Sequence, residues 1–289
     1  MNVIFQINGG IGKVVASTAV CKSIKAKYPD CKLIVVSGYP DVFLNNPNVD
    51  RAFAFGQQQY FYQEYIQNQE FLVLAHDPYL DTTHLMQDEH LIETWCKIYD
   101  LPFIQTQGEI FLSQREIDFY SNKYVTDKPI FLLQTNGGAD SNLKYSWARD
   151  IPNSVVNGVI HQFRNEYNMV HIRREDQLNF EHTIPVTDNF RSLVVLIKLS
   201  TKRLFMDSFA QHVAATLNLP SVVLWVVNSP KVFGYVTHTN IIANPETKQS
   251  DIRSAYLSKY NISGELVEYP YNNENEIFNL DQVIELLKK

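Results

Sequence analysis

Asp207-Ser208-Phe209-Ala210-Gln211-His212 concentrates a carboxylate, a hydroxyl, an amide and an imidazole in six residues, after an apolar run that ends at Met206 and ahead of a second over 221–227. Strand, acidic turn, short helix and strand in this order make a βαβ unit, whose helix start offers unpaired N–H groups to an anion such as a phosphate. Ser208 with Gln211 three positions on fits a capping box, and His212 falls near the same mouth. The segment therefore has two readings: a ligand site, or a capped helix with a partly buried histidine.

Other strand ends hold comparable groups. Asn8-Gly9-Gly10-Ile11-Gly12-Lys13 follows the first apolar run, where glycines let the main chain approach a ligand; a tight structural turn explains them equally. Val14 after Lys13 excludes a P-loop, and G-x-G-x-x-G is absent, which disfavours a dehydrogenase. Lys13 could neutralise a diphosphate or hold an acidic acceptor. His76-Asp77-Pro78-Tyr79 follows another apolar run, with Asp81 and His84 behind it. Asp77, Asp81 and His84 could share a helix face and ligate a metal, but Pro78 breaks the register, so no metal site is expected. Gln134-Thr135-Asn136-Gly137-Gly138 and then Lys144 supply the donors a diphosphate needs, unless they form only a surface loop. The loop through Asn228, Phe233, Tyr235 and His238 opens toward the same side.

The pattern D-S-F-x-Q-H-x-A-A-x-L-x-L-P from Asp207 resembles the D-[ST]-G-x-x-H-x-A-A-A-x-G-x-P segment of glycosyltransferase family 9, the heptosyltransferase-like enzymes. Two further resemblances lie in the family's order: the turn Gly10-Ile11-Gly12-Lys13, with a helix, Tyr28-Pro29-Asp30 and a strand after it, and Lys144-Tyr145-Ser146-Trp147, similar to a K-x-W. The resemblance implies a GT-B architecture, two Rossmann-like α/β domains whose parallel sheets face a cleft. It implies inverting transfer of a heptose or related sugar from a nucleotide diphosphate sugar to a hydroxyl on a lipopolysaccharide-type or other surface glycan. Thr135, Asn136, Lys144, Asp207, Ser208, Gln211 and His212 would then hold the donor. An arginine of the Arg173-Arg174 pair would stack on its base, and Glu175 would accept from its ribose; Gly9, Gly10 and Gly12 would form the acceptor-side loop. Two positions depart from the pattern. Lys13 stands where the family has the aspartate thought to deprotonate the acceptor, so Asp77, or else His76, is expected to serve as base beside Lys13. Phe209 replaces a glycine and restricts the approach of backbone to phosphate. A nucleotide-sugar-binding protein without transfer activity, or a transferase for modified DNA bases, are the alternatives.

Elements must place these groups together. Apolar runs at 3–7, 32–36, 71–75, 130–134, 169–172, 204–206 and 222–227 alternate with segments of helical spacing, which argues for α/β layers. Thr126-Asp127-Lys128-Pro129 marks a boundary, giving an acceptor-side domain over 1–127 and a donor domain over 128–289. A final helix is expected over 280–287, with Lys288 and Lys289 complementing its C-terminus. Residues 57–70 hold Tyr60, Phe61, Tyr62 and Tyr65 among several glutamines, either an aromatic platform for a sugar or lipid, or a surface helix with its aromatics in the core.

Composition bounds the rest. A chain of 289 residues with 45% hydrophobic content can bury two modest cores. A net charge of −6 gives no basic field for nucleic acid. Cys21, Cys31 and Cys96 have neither disulfide nor zinc spacing and fit a reducing cytoplasm. No signal core or membrane-length run is seen, leaving peripheral contact at the inner face of a membrane as the expectation. No cofactor is expected beyond the nucleotide sugar as substrate.

Overall fold

The computed structural model of the chain describes residues 1–137, 149–247, 271 and 273–289. Among them, β1 (Asn2–Ile7), β2 (Lys32–Ser37), β3 (Arg51–Ala54) and β4 (Phe71–Leu74) form one parallel sheet in the order β3-β2-β1-β4. The strands β5 (Ile130–Gln134), β6 (Asn168–Ile172), β7 (Ile184–Val186), β8 (Lys202–Met206), β9 (Val222–Trp225) and β10 (Thr239–Ile242) form a second, in the order β10-β9-β8-β5-β6-β7. Counted from its own first strand, the second sheet runs 3-2-1-4-5-6, the Rossmann order.

Helix α1 (Ile11–Lys27) follows β1, while α2 (Thr82–Leu85), α3 (Leu91–Ile98) and α4 (Gln114–Ser121) follow β4. In the second half α5 (Asn153–Phe163), α6 (Phe190–Leu199), α7 (Phe209–Thr216) and α8 (Pro230–Phe233) connect strands, and α9 (Leu280–Lys288) matches the expected last helix. Central strands are apolar along their length because both faces are covered. In β1, Val3, Phe5 and Ile7 join the cluster around α1, while Ile4 meets Ile34, Val36 and Tyr65 on the opposite face.

Three strands escaped the hydrophobic pattern, and all three are sheet edges: β3, β7 and β10. An edge strand is half exposed and short, so it needs no apolar run, and β7 even accommodates Pro185.

The cleft between the sheets is set by two contacts. Helix α1 is buried around most of its circumference because it meets its own sheet, α3 and also α7 from the second half. Gly12 permits this approach: a Cβ there would lie 3.0 Å from His212 Cδ2 and 3.3 Å from the Phe209 Cα. Elsewhere α4 docks on α6 through buried Arg191, whose Nε and Nη2 donate to Glu116 at 2.7 and 3.1 Å and hold its carboxyl down at about 2. The three cysteines are buried free thiols. No helix among the described residues is long and apolar enough to cross a membrane.

Candidate functional site

Parallel strands of both sheets end at one cleft of about 700 Å³. The first half contributes the turn from Gly9 to Lys13 after β1, Tyr39 after β2, and Asp77, Tyr79 and Leu80 after β4. The second contributes Gln134, Asn136 and Gly137 after β5, Arg173, Arg174 and Gln177 after β6, Asp207 and Ser208 after β8, and Phe209 and His212 of α7. Both topological switch points, β1/β4 and β5/β8, therefore open on the same space, where ligands bind in doubly wound sheets.

On the first wall, Gly9 has φ 105°, a left-handed conformation that a side chain would strain. Gly10 begins α1 without a side-chain cap. Lys13 is buried, its Nζ bonds Asp77 Oδ1 and lies 4.3 Å from the centre of the Tyr79 ring, so its charge is directed at Asp77. The same Oδ1 accepts from Tyr79 N at 3.0 Å, capping the turn Pro78–Leu80. His76 is exposed and does not line the cleft; its carbonyl accepts from Tyr99 OH at 2.7 Å. Asp81 caps α2 through Thr83 N at 2.8 Å, and buried His84 stacks on Tyr79 at 4.6 Å, so these two are engaged otherwise than as metal ligands. Among the described residues no three His, Cys, Asp or Glu side chains gather as a metal site.

The capping box expected at α7 does not form. Ser208 makes no side-chain cap bond, and Gln211 is fully buried, its Nε2 donating to the Phe233 carbonyl at 3.0 Å. Gln134, at the end of neighbouring β5, does the capping: Oε1 accepts from Ala210 N at 3.1 Å and Nε2 donates to Ser208 Oγ at 3.1 Å. The extended backbone of Ser208 turns its hydroxyl toward β5, and Gln211 lies on the helix face turned to the core. The sequence placed Gln134 among donors for a diphosphate, with no sign that its amide would instead cap α7.

Behind the second wall Thr135 is fully buried, with its hydroxyl 2.9 Å from both Asn136 Oδ1 and His171 Nε2, and it does not reach the cleft. Asp150 braces the turn, accepting from Asn136 Nδ2 at 3.0 Å and Gly137 N at 2.7 Å. Arg149, which sequence reasoning missed, lines the cleft; its Nη2 donates to the Asp207 carbonyl, and its Nε is 3.7 Å from Asp207 Oδ2. Lys144, with Gly138 and Tyr145 to Trp147, lies outside the described residues. Arg173 Nη2 donates to the Glu175 carbonyl at 2.6 Å, and Gln177 Nε2 to the Gly137 carbonyl at 2.7 Å, tying that loop to the β5 turn. Glu175 itself is exposed and away from the lining.

Asp207 is buried and its Oδ2 accepts from Asn228 Nδ2. His212 Nδ1 lies 2.8 Å from Tyr235 OH. Burial, reinforced by His90, His238 and Arg149, pushes the His212 pKa down to about 3, so a neutral imidazole faces the cleft. Burial likewise holds His84, His90 and His171 at about 4. All four bind fewer protons folded than unfolded, where histidine titrates near 6.5. Stability should therefore be complete above pH 6.5 and decline as pH falls toward 4, with a further loss between 4.5 and 2 as Glu116 protonates. Denaturant melts at stepped pH check this, and His212→Gln should flatten the slope above pH 4; a pH-independent midpoint would contradict buried neutral histidines.

No protein-family model matches the sequence, and no curated protein matches it. Solved structures do match. The chain superposes on E. coli ADP-heptose LPS heptosyltransferase II with a TM-score of 0.70 at 15% identity, covering 100% of this chain and 98% of that one. A family 9 glycosyl transferase from Veillonella parvula DSM 2008 gives 0.67 at 15% identity, covering 98% and 95%. The dodecameric iron-containing heptosyltransferase TibC of enterotoxigenic E. coli, in complex with ADP-D-beta-D-heptose, gives 0.62 at 11%, covering 99% and 72%. The fold is the GT-B fold these proteins share.

Proposed function

We propose that the chain is an inverting GT-B glycosyltransferase, divided at 127/128, that moves a heptose or related sugar from a nucleotide diphosphate sugar to a hydroxyl of a surface glycan or glycolipid. The observation that supports it most is the joint cleft. Asp77, on the wall after β4, lines the same space as Arg149, Asn136 and Asp207 of the second sheet, so a carboxylate able to take a proton and a guanidinium and amide able to hold a diphosphate share one cleft. Similarity to proteins described with ADP-heptose supports a nucleotide sugar as donor.

In this reading the acceptor oxygen attacks the anomeric carbon as its proton passes to Asp77, and the bond from that carbon to the diphosphate oxygen breaks. Arg149, Lys144 and the N–H groups at the start of α1, which no side chain caps, stabilise the departing diphosphate and require no metal ion, whereas Ala210 N at the start of α7 is already held by Gln134. Asp207 orients the donor sugar, and His212, neutral, can donate or accept a hydrogen bond according to its tautomer. The protein would act in the cytoplasm, at the inner face of a membrane that displays the acceptor. The alternative, nucleotide-sugar binding without transfer, draws on Lys13, which stands in the place of the family's base.

Calorimetry with a panel of nucleoside diphosphates tests the reading. One of them should bind, and Lys144→Ala should weaken it by about 1.5 to 3 kcal/mol, as loss of a charge-assisted hydrogen bond does. Unchanged affinity removes Lys144 from the site, and no binding by any diphosphate removes the reading.

A further inference from the structure

The segment between β3 and β4 divides its aromatic residues between two faces. Phe61 and Tyr65 turn inward, with ring centroids 5.1 Å apart and each within 6 Å of Phe53, anchoring the segment to the back of the first sheet. Tyr60 and Tyr62, on either side of Phe61, turn outward and are 70% and 65% exposed. Tyr60 also has φ 57°, a left-handed conformation unusual for a bulky residue, and Tyr62–Ile66 is a π-helical turn, a form that often occurs at functional sites.

The surroundings of the two rings indicate their ligand. Gln57, Gln59, Gln63, Gln67, Asn68 and Gln69 are all exposed, and Glu64 is the one charged residue over 57–69. Amides both donate and accept, which suits vicinal hydroxyls, while an aromatic face stacks on the C–H face of a sugar. Residues 57–69 carry no lysine or arginine, and a cation against the segment, Lys32, lies 4.9 Å from the inward Tyr65 ring, which leaves Tyr60 and Tyr62 without a cation cluster of the kind a phosphorylated or nucleic acid ligand needs. A lipid surface would require six amides to lose water without partners. Position agrees with a glycan as well. Ile7, Ser37 and Ala54 stand level in the sheet register, so the segment leaves β3 at the cleft edge, about 10 Å from β1. It then crosses the back of the sheet to its opposite edge, where Asn2 Nδ2 donates to the Tyr65 carbonyl; Tyr60 and Tyr62 precede that point. Tyr39, which lines the cleft, follows β2, the strand between β1 and β3.

We propose that Tyr60, Tyr62 and the surrounding amides form an accessory subsite for a neutral glycan chain, holding the portion of the acceptor that extends beyond the cleft. The proposal deepens the sugar-transfer reading and rests on it for the direction of the chain, but it is tested without transfer. The purified full-length protein is titrated against immobilised neutral oligosaccharides, from disaccharides to octasaccharides, and against phosphatidylcholine vesicles. The parent should bind at least one of the longer oligosaccharides. Tyr60→Ala/Tyr62→Ala should weaken that binding about tenfold or more with an unchanged melting temperature, since both rings are exposed. Tyr60→Gly, which relieves the left-handed backbone, should weaken binding without lowering the melting temperature, an outcome that a merely structural tyrosine would not give. No oligosaccharide binding by the parent, equal binding by the double variant, or tyrosine-dependent binding of the vesicles alone overturns the subsite. Oligosaccharide binding without nucleoside diphosphate binding keeps the subsite and sinks the transfer reading; diphosphate binding alone does the reverse.

Discussion

Asp77→Asn should lower turnover by about 10²- to 10⁴-fold, the contribution of a positioned base, while nucleoside diphosphate affinity changes little, because the loss falls on the transition state. The geometry supports so specific a loss. Lys13 Nζ and Tyr79 N both converge on Asp77 Oδ1, and Oδ2 accepts no hydrogen bond from the described residues. An asparagine can keep its oxygen on those two donors but cannot take a proton, so shape survives and the base does not. Stability is the complication, because the Lys13 side chain is only 3% exposed and loses its counter-charge. Since the Asp77 side chain is 27% exposed, the cost should be about 1 to 3 kcal/mol, below that of a fully buried pair. Lys13→Met/Asp77→Asn should recover part of that stability and none of the turnover, and Lys13→Met alone, which keeps the carboxylate, should retain measurable transfer. Parental turnover in Asp77→Asn with a true acceptor would leave the cleft without its base.

The fold was legible where physics makes a sequence repetitive. Strands buried on both faces read as apolar runs, so β1, β2, β5, β6, β8 and β9 stood out; of the four edge strands only β4 has such a run, and β3, β7 and β10, under no such constraint, lack one. The site was legible at strand ends and not beyond them. Asp77, Asn136, Asp207, Ser208 and His212 lie on the cleft because the residues just after parallel strands must. Adjacency in sequence could not tell Asn136 from Thr135, nor Asp77 from His76: one step along the chain turns a side chain from the cleft to the core or to solvent. Arg149 and Asn228 were invisible as partners of Asp207, since contacts between distant segments leave no local spacing to read. The capping of α7 was misread for a related reason. A local S-x-x-Q pattern competed with a long-range donor and acceptor, Gln134, and the tertiary partner won.

Asp207→Asn should reduce kcat/KM at least tenfold and, unlike a change at a helix cap, should do so whether or not the protein is also destabilised. A capping role is already filled by Gln134, so the Asp207 carboxylate is available for other work. It is buried between Asn228 and Arg149 at the cleft wall, where an acceptor of two hydrogen bonds can orient a sugar's hydroxyls. Removing its charge also leaves the partly buried Arg149 guanidinium less well compensated, so a stability loss of about 1 to 2 kcal/mol is expected alongside the kinetic one. Asn228→Ala separates the two effects. It deletes the hydrogen bond to Asp207 but leaves the carboxylate facing the cleft, so it should lower the melting temperature while keeping most of kcat/KM. His212→Ala should follow Asp207→Asn in sign, because the imidazole lines the same mouth of α7 and is held there by Tyr235. Thermal melts and donor kinetics on the three variants decide the matter. If Asn228→Ala and Asp207→Asn lose kcat/KM equally, the carboxylate acts only by bracing the loop after β9; if Asp207→Asn loses stability alone, the donor sugar is held elsewhere in the cleft.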